Sequence, residues 1–147
     1  MAAADRIARR RGAAGLTMRL LAEELGVSAM AAYRYVDGRE ELGALVLDRL
    51  FAELLERLDQ AAPVRERLEA AARLLGRRPG LADELVDGVL VTQPHVARWL
   101  ALLDERVPGP GARASLWLVR GAARDQDAMP WLRLLADALE AEADVAG

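Results

Sequence analysis

Side chains that can hydrogen-bond to a phosphate backbone are concentrated in one short stretch of this chain, residues 16–42. The hydroxyl, phenol and guanidinium groups in this stretch belong to Thr17, Arg19, Ser28, Tyr33, Arg34, Tyr35 and Arg39. Outside it, serine, threonine and tyrosine occur only as Thr92 and Ser115. This asymmetry predicts that the segment contacts nucleic acid.

The other reactive residue types give little support to catalysis. The sequence has no cysteine and a single histidine, His95. Neither serine lies in a GxSxG pattern, and no Gly-rich phosphate loop is present. A lone histidine without cysteine does not make a metal site. The chain is therefore not expected to be an enzyme, and no cofactor or metal is predicted.

Two short helices joined by a tight turn are predicted to position the phosphate-binding groups. Thr17 and Ser28 are suited to cap helices over 18–25 and 29–36, and Gly26 suits a left-handed turn between them. Ala22, Gly26 and Val27 have the spacing of a helix-turn-helix, with Leu21 and Leu25 as its buried face. The second helix is then expected in the major groove of DNA. Its candidates for contacting base edges are Ala29, Met30, Ala31, Tyr33 and Arg34.

The whole chain is predicted to be all-α. Apolar residues recur at spacings of three and four, and prolines mark most of the joints. Further helices are predicted over 2–11, 39–58, 64–77, 80–92, 94–105, 111–123 and 130–143. The expected organisation is a three-helix N-terminal domain over residues 1–50, linked by helix four to a C-terminal helical domain over residues 51–147.

Composition and charge fit a globular protein with one basic end. Of the 147 residues, 53% are hydrophobic and 29% charged, and the net charge is −3. Residues 1–36 nevertheless contain six arginines and three acidic residues. A basic end on an acidic body suits a protein that faces nucleic acid with that end. No apolar run long enough for a membrane span and no signal-peptide pattern are seen, so a cytoplasmic location is expected.

The ordered set GLTMRLLAEELGVSAMAAYRYVDGREEL resembles the DNA-binding domain of the TetR family of bacterial repressors, over roughly residues 3–50. The resemblance implies that Thr17 and Tyr33 contact phosphates, and that Ser28 and Tyr35 help to hold the backbone. It further implies a base-reading role for Arg19 and a phosphate clamp at Arg39. Neither arginine has an obvious structural need. By contrast, Thr17 and Ser28 would cap helices whether or not they contact DNA. Each tyrosine could instead be a core aromatic.

The predicted recognition helix departs from the family in having few polar groups. Ala29, Met30 and Ala31 replace the polar or larger residues often found there, and Ala32 replaces a bulkier apolar residue. Base reading would therefore depend on few side chains, with methyl contacts to thymine and DNA shape supplying the rest.

For the C-terminal half, the resemblance implies a ligand pocket and a dimer formed by the last two helices. The predicted interface residues are Leu116, Trp117, Arg120, Trp131, Leu135 and Leu139. The predicted ligand contacts are Thr92, Gln93, His95, Trp99 and Trp117, which are polar or aromatic groups in an otherwise aliphatic and charged body. The alternatives are that these helices close the monomer's own core, and that residues 92–99 form a loop and a helix cap.

Two functions follow from the sequence. The first is a ligand-responsive repressor that binds a palindromic operator on double-stranded DNA as a homodimer and is released by a small, largely apolar effector. The alternative is a TetR-like fold that serves as a protein-interaction module, with weak or lost DNA binding.

Overall fold

The computed structural model describes residues 2–59, 61–86, 93–107 and 110–146. These residues form eight α-helices and three short 3₁₀ segments, and the described part of the chain contains no strand. The helices are α1 (Ala2–Arg11), α2 (Met18–Leu25), α3 (Ala29–Ala32), α4 (Arg39–Arg57), α5 (Val64–Gly76), α6 (Pro94–Asp104), α7 (Pro110–Arg124) and α8 (Met129–Ala146). The 3₁₀ segments are Ala13–Gly15, Leu81–Val86 and Gln126–Ala128. The all-α prediction is confirmed.

The predicted helix over 80–92 differs from the structure. Its first part is the 3₁₀ segment Leu81–Val86, and residues 87–92 lie outside the described residues.

Local side-chain caps fix the starts of α2 and α3. The Thr17 hydroxyl accepts a hydrogen bond from the backbone N–H of Leu20 at 3.2 Å. The Ser28 hydroxyl accepts one from the N–H of Ala31 at 3.1 Å. Gly26 ends α2 in the left-handed conformation, with φ 67°, which glycine adopts without steric cost. Thr17, Gly26 and Ser28 therefore mark the helix ends of the motif where the sequence predicts them.

The second helix of this motif is shorter than predicted, because α3 ends at Ala32 rather than near Val36. Tyr33 N–H still reaches the Ala29 carbonyl at 3.1 Å. After it, the N–H groups of Arg34 and Tyr35 donate to carbonyls three residues back, at 3.2 and 3.1 Å. The last turn thus tightens from α-helical to 3₁₀-type bonding, as is common at helix ends.

Helix α4 connects the N-terminal helices, called here the head (residues 2–36), with the helices that follow α4, called the body. It buries apolar residues along most of its length, including Leu42, Leu47 and Phe51. Phe51 packs edge-on against Trp99 of α6, with ring centroids 5.2 Å apart. The buried residues of head and body belong to one continuous cluster, to which α4 contributes. The domain boundary at residue 50 stays a prediction.

No helix in the described ranges is both long enough and apolar enough to cross a membrane.

Candidate nucleic-acid interface

The surface around α3 is apolar and open. The Met30 side chain is 81% exposed, and Ala29 is exposed beside it. Ala31 is half-buried, whereas Ala32 is buried in the core. The four residues of α3 therefore divide into a buried anchor and an outward face of methyl and thioether groups, which can touch the C5 methyl of thymine but cannot donate a hydrogen bond to a base.

Leu25 corrects one expectation. It was predicted to share the buried face of α2 with Leu21, but Leu21 is buried and Leu25 is exposed. Leu25 is the last residue of α2, immediately before the Gly26 turn, and about half of it is exposed. Val27, the next apolar residue, is also exposed. The outward apolar surface of the head is thus wider than the sequence pattern indicated.

Both tyrosines of the motif are exposed rather than in the core. Tyr35 is 82% exposed and Tyr33 is more than half exposed. Their phenol groups are therefore free to donate to phosphate oxygens. Arg34, between them, is also exposed. The alternative that either tyrosine is a core aromatic is wrong.

Arg19 lies on the solvent side of α2. Its Nε is 3.6 Å from Oε1 of Glu23, one turn further along the helix, and its side chain is largely exposed. Such a surface pair contributes at most about 0.5 kcal/mol. Arg19 can leave it at little cost, so its guanidinium remains available to the paired acceptors of guanine.

Arg39, by contrast, has a structural partner that the sequence did not reveal. Its Nη2 donates to Oε1 of Glu84 across 2.7 Å, from the first turn of α4 to the 3₁₀ segment Leu81–Val86. The expectation that Arg39 has no structural need is therefore wrong. The two residues are 45 positions apart, a separation that no helical periodicity predicts.

Part of the positive charge of α1 is used inside the head. Arg6 Nε donates to Oε1 of Glu24 at 2.9 Å, and Arg10 Nη2 donates to Oε2 at 2.5 Å. Hydrogen bonds from Arg6 and then Arg10 lower the pKa of the Glu24 carboxyl below its ordinary value of 4.5. This clasp of Arg6, Arg10 and Glu24 holds α1 against α2. It leaves less of the basic end free for DNA than the arginine count implies.

Among the described residues, the predicted ligand contacts lie in different parts of the body. Trp99 is fully buried against Phe51, and its Nε1 has no hydrogen-bond partner among the described residues. Trp117 lies exposed on α7. Gln93 is at the N-cap of α6, and Thr92 lies outside the described residues. The Trp99 ring lies in the core between α4 and α6 rather than on an open groove, and a ligand contact there stays a prediction.

His95 lines a groove between α4, α5 and α6, with a volume of about 260 Å³. The groove is lined by Ala52, Leu55, Glu56, Leu58, Asp59, Arg67, His95, Arg98 and Leu102. Asp48 of α4 accepts from the backbone N–H of His95 at 2.8 Å, and its other carboxylate oxygen is 2.7 Å from the His95 ring Nδ1. Asp48 therefore ties the start of α6 to α4, beside the groove.

No sequence motif singles out Arg67, which also lines the groove. It is buried, with Nε donating to the Ala62 carbonyl at 2.9 Å and Nη1 to the Leu102 carbonyl at 2.8 Å. Burial lowers the pKa of this guanidinium, although arginine starts so high that it stays charged at neutral pH. In the described part of the chain, no cluster of acidic and histidine side chains is placed to hold a metal ion.

Large apolar side chains lie exposed on the last two helices. Trp117 of α7 is 64% exposed and Trp131 of α8 is 66% exposed, and Leu134 and Leu135 are exposed next to Trp131. Of the other predicted interface residues, Leu116 and Leu139 are half-buried against the chain's own core. Arg120 Nε is 3.2 Å from Oδ1 of Asp83. The predicted interface set thus divides into three exposed residues, two that partly close the monomer and one in an ion pair.

Comparison with known proteins identifies the head. Residues 1–44 match the family model described as bacterial regulatory proteins, tetR family. HTH-type transcriptional regulators Mb1846 of Mycobacterium bovis and Rv1816 of Mycobacterium tuberculosis are each 37% identical to the chain over 98 residues, which is 67% of this chain and 39% of each relative. HTH-type transcriptional repressor DrrR1 of Streptomyces coeruleorubidus is 52% identical over 48 residues, 33% of this chain and 18% of the repressor. The match therefore spans about two fifths of the length of the mycobacterial relatives.

Proposed function

The N-terminal helix-turn-helix of this chain belongs to the TetR family of bacterial regulatory proteins, and on that premise we propose that the chain is a sequence-specific DNA-binding transcriptional regulator. The observation that carries the proposal is the outward face of the head, where Arg19, Met30, Tyr33 and Tyr35 are all exposed. The relatives are named as transcriptional regulators and, in one case, as a repressor. We assign the chain a repressor's role in the cytoplasm and no catalytic step.

The proposed DNA contacts combine backbone and base recognition. The Thr17 hydroxyl accepts from Leu20 N–H but keeps its own proton to donate, so capping α2 and binding a phosphate are compatible. The phenols of Tyr33 and Tyr35 supply further phosphate donors. Arg19 is the proposed guanine-reading residue, and Ala29 and Met30 are the proposed contacts to thymine methyl groups.

The proposed assembly is a homodimer that reads a palindromic operator. Trp131, Leu134, Leu135 and Ala138 recur at helical spacing on the exposed side of α8, and Trp117 is exposed on α7. Pairing this surface with a second copy would remove large apolar side chains from water. A two-fold axis there would present two recognition helices to half-sites about one DNA turn apart.

The proposed effector site is the groove between α4, α5 and α6. Its apolar lining by Leu55, Leu58 and Leu102, with His95 among the polar groups, suits a small and largely apolar molecule. An effector bound there would touch α4, whose first residue is Arg39. Release from DNA then requires that the effector bind more tightly to the body conformation that does not fit the operator.

The experiment that tests this function is selection of genomic fragments by the purified chain at moderate salt, followed by sequencing of the bound DNA. We expect enrichment of a short palindrome. Diffuse binding that weakens steeply with salt, or no binding, would contradict sequence-specific regulation.

A second candidate function, a protein-interaction module with weak DNA binding, is favoured by one observation. Leu25, Val27 and Met30 give the head an exposed apolar surface, which also suits a protein partner. The variant Arg19→Ala separates the two functions. A regulator should lose about 1–3 kcal/mol of binding free energy on its specific site. An interaction module should instead bind all DNA sequences equally, both as the wild type and as Arg19→Ala.

A further inference from the structure

The 3₁₀ segment Leu81–Val86 carries two adjacent carboxylates that are tied to different parts of the fold. Asp83 Oδ1 lies 3.2 Å from both Arg120 Nε and Arg124 Nη1 of α7. Glu84 Oε1 accepts from Arg39 of α4 at 2.7 Å. Leu81 and Leu85 of the same segment are buried. The segment is therefore anchored to the body on one side and reaches the first turn of α4 on the other.

The shape of α4 leaves room for Glu84 to lie close to it. Gly43 is buried in α4, and a Cβ atom added there would lie 3.3 Å from Glu84 Oε2. The absence of a side chain at position 43 thus leaves room for the carboxylate along the helix. The Glu84 side chain is 17% exposed, whereas that of Arg39 is 48% exposed. The carboxylate is the more buried partner of the pair, and the guanidinium is the partner that solvent or a ligand reaches more easily.

A DNA phosphate and the Glu84 carboxylate would both use the guanidinium of Arg39 as a hydrogen-bond donor. Both are anions that accept charge-assisted hydrogen bonds from a guanidinium. Glu84 also cancels part of the positive charge that would attract the phosphate, and it would repel a phosphate that approached Arg39 closely. Binding DNA through Arg39 therefore requires that this ion pair be weakened or shared.

We propose that Glu84 competes with DNA phosphate for Arg39, so that the body restrains the DNA affinity of the head through this contact. The inference rests on the proposed DNA-binding function and adds a residue of the body to it. Because Asp83 links the same segment to α7, a displacement of α7 would move Glu84 relative to Arg39. Drawing Glu84 away would strengthen DNA binding, and pressing it towards Arg39 would weaken it.

The test compares the binding of Glu84→Gln and of the wild type to a fluorescent DNA duplex of mixed sequence. The duplex is about 30 base pairs long, so that both recognition helices of a dimer can contact it. Binding is followed by anisotropy between about 50 and 200 mM salt. A phosphate contact contributes to non-specific binding, so no operator is needed. Glutamine keeps the size of the side chain and removes its charge. We expect Glu84→Gln to bind about two- to fivefold more tightly, which is the effect expected from removing one exposed ion pair. The slope of the logarithm of the binding constant against the logarithm of the salt concentration should become steeper by up to about 0.9.

Two further variants make the result specific to this pair. Glu69→Gln is the matched control, because it removes the same charge from a carboxylate that is ion-paired to Arg73 and Arg133 in the body; its binding should equal that of the wild type. In an Arg39→Ala background, Glu84→Gln should give no gain. Circular dichroism verifies that each variant is folded.

The outcomes that overturn the inference are distinct from failure of the proposed function. Unchanged or weaker binding by Glu84→Gln, or a gain that persists without Arg39, rejects the competition while leaving a DNA-binding protein. A wild-type chain that binds neither this duplex nor any genomic fragment rejects the proposed function, and the inference with it.

Discussion

Arg78, in the turn after α5, donates from Nε to Oδ1 of Asp5 in α1 at 3.0 Å. The Arg78 side chain is buried, and its Nη1 also donates to the Leu74 carbonyl at 2.9 Å. Beside this pair, the N–H of Ala13 donates to the Pro79 carbonyl at 2.8 Å. Gly12 makes this approach feasible, since its φ is 65° and a Cβ there would lie 2.4 Å from the Pro79 oxygen. The head is thus joined to the body at α1 as well as through α4.

The Asp5–Arg78 pair should stabilise the fold measurably. In Asp5→Asn, a buried guanidinium loses its carboxylate, and hydrogen bonds to charged groups contribute about 1.5–3 kcal/mol. We expect the free energy of unfolding in urea to fall by about that amount. Asp104→Asn, an exposed change on α6, should stay within about 0.5 kcal/mol of the wild type. Equal unfolding midpoints for the two variants would show that the pair contributes nothing.

Features set by neighbouring residues were predictable from the sequence. Thr17, Ser28 and Gly26 act at the helix ends to which they were assigned, because a cap depends on residues two or three positions away. Helical spacing likewise identified most of the helices. The end of α3 was not predictable in this way, since its last turn tightens to 3₁₀ bonding without any proline or glycine to mark the change.

Features set by distant residues were not predictable. Arg39 pairs with Glu84 and Asp5 with Arg78, over 45 and 73 positions, and no periodicity links such residues. The residue type of Trp99 suggests a ligand contact, but its burial depends on where α4 and α6 meet. The exposure of Arg19, Met30 and Tyr33 was easier to predict than these long-range contacts, because the local motif sets the positions of these three residues.

Acidification should weaken the clasp between α1 and α2. Arg6 and Arg10 lower the pKa of Glu24 in the folded state below its ordinary 4.5. Between the lowered pKa and the ordinary one, the unfolded state therefore binds the proton more readily than the folded state does. The stabilisation is complete above the ordinary pKa and is lost as pH falls through the lowered one. Urea midpoints measured from neutral pH downwards should converge for the wild type and Glu24→Gln. A constant difference down to the lowest pH would contradict this assignment.

Thymine methyl groups should matter to operator binding. The outward face of α3 presents Ala29 and Met30, which offer dispersion and apolar contact but no donor. Replacing half-site thymines with deoxyuridine removes only the C5 methyl. We expect each contacted position to cost about 0.5–1 kcal/mol in titrations at fixed salt, near the value of one buried methylene.

Met30→Ala supplies the control for this effect. It should weaken binding to the thymine operator and reduce the difference between thymine and deoxyuridine duplexes. If deoxyuridine is tolerated at every half-site position, α3 does not read methyl groups and DNA shape has the larger share of recognition.

The exposed face of α7 and α8 should set the oligomeric state. Trp131→Glu places a charge at the centre of that face, at a side chain already 66% exposed in the single chain, so the monomer fold should tolerate it. Burying that charge against a second copy would be strongly unfavourable. We expect the wild type to sediment as a dimer and the variant as a monomer at the same concentration, with operator binding weakened because one recognition helix is lost from each complex.

Leu25→Glu, at a comparably exposed leucine of α2, adds the same charge in the head and should leave the dimer intact. A wild type that sediments as a monomer at all accessible concentrations would remove the dimer from the proposed function. A Trp131→Glu variant that remains dimeric would instead move the interface away from α8. Because Leu132 and Ala136 of α8 are buried in the chain's own core while Trp131 and Leu135 point outwards, the two faces of this helix can be tested separately.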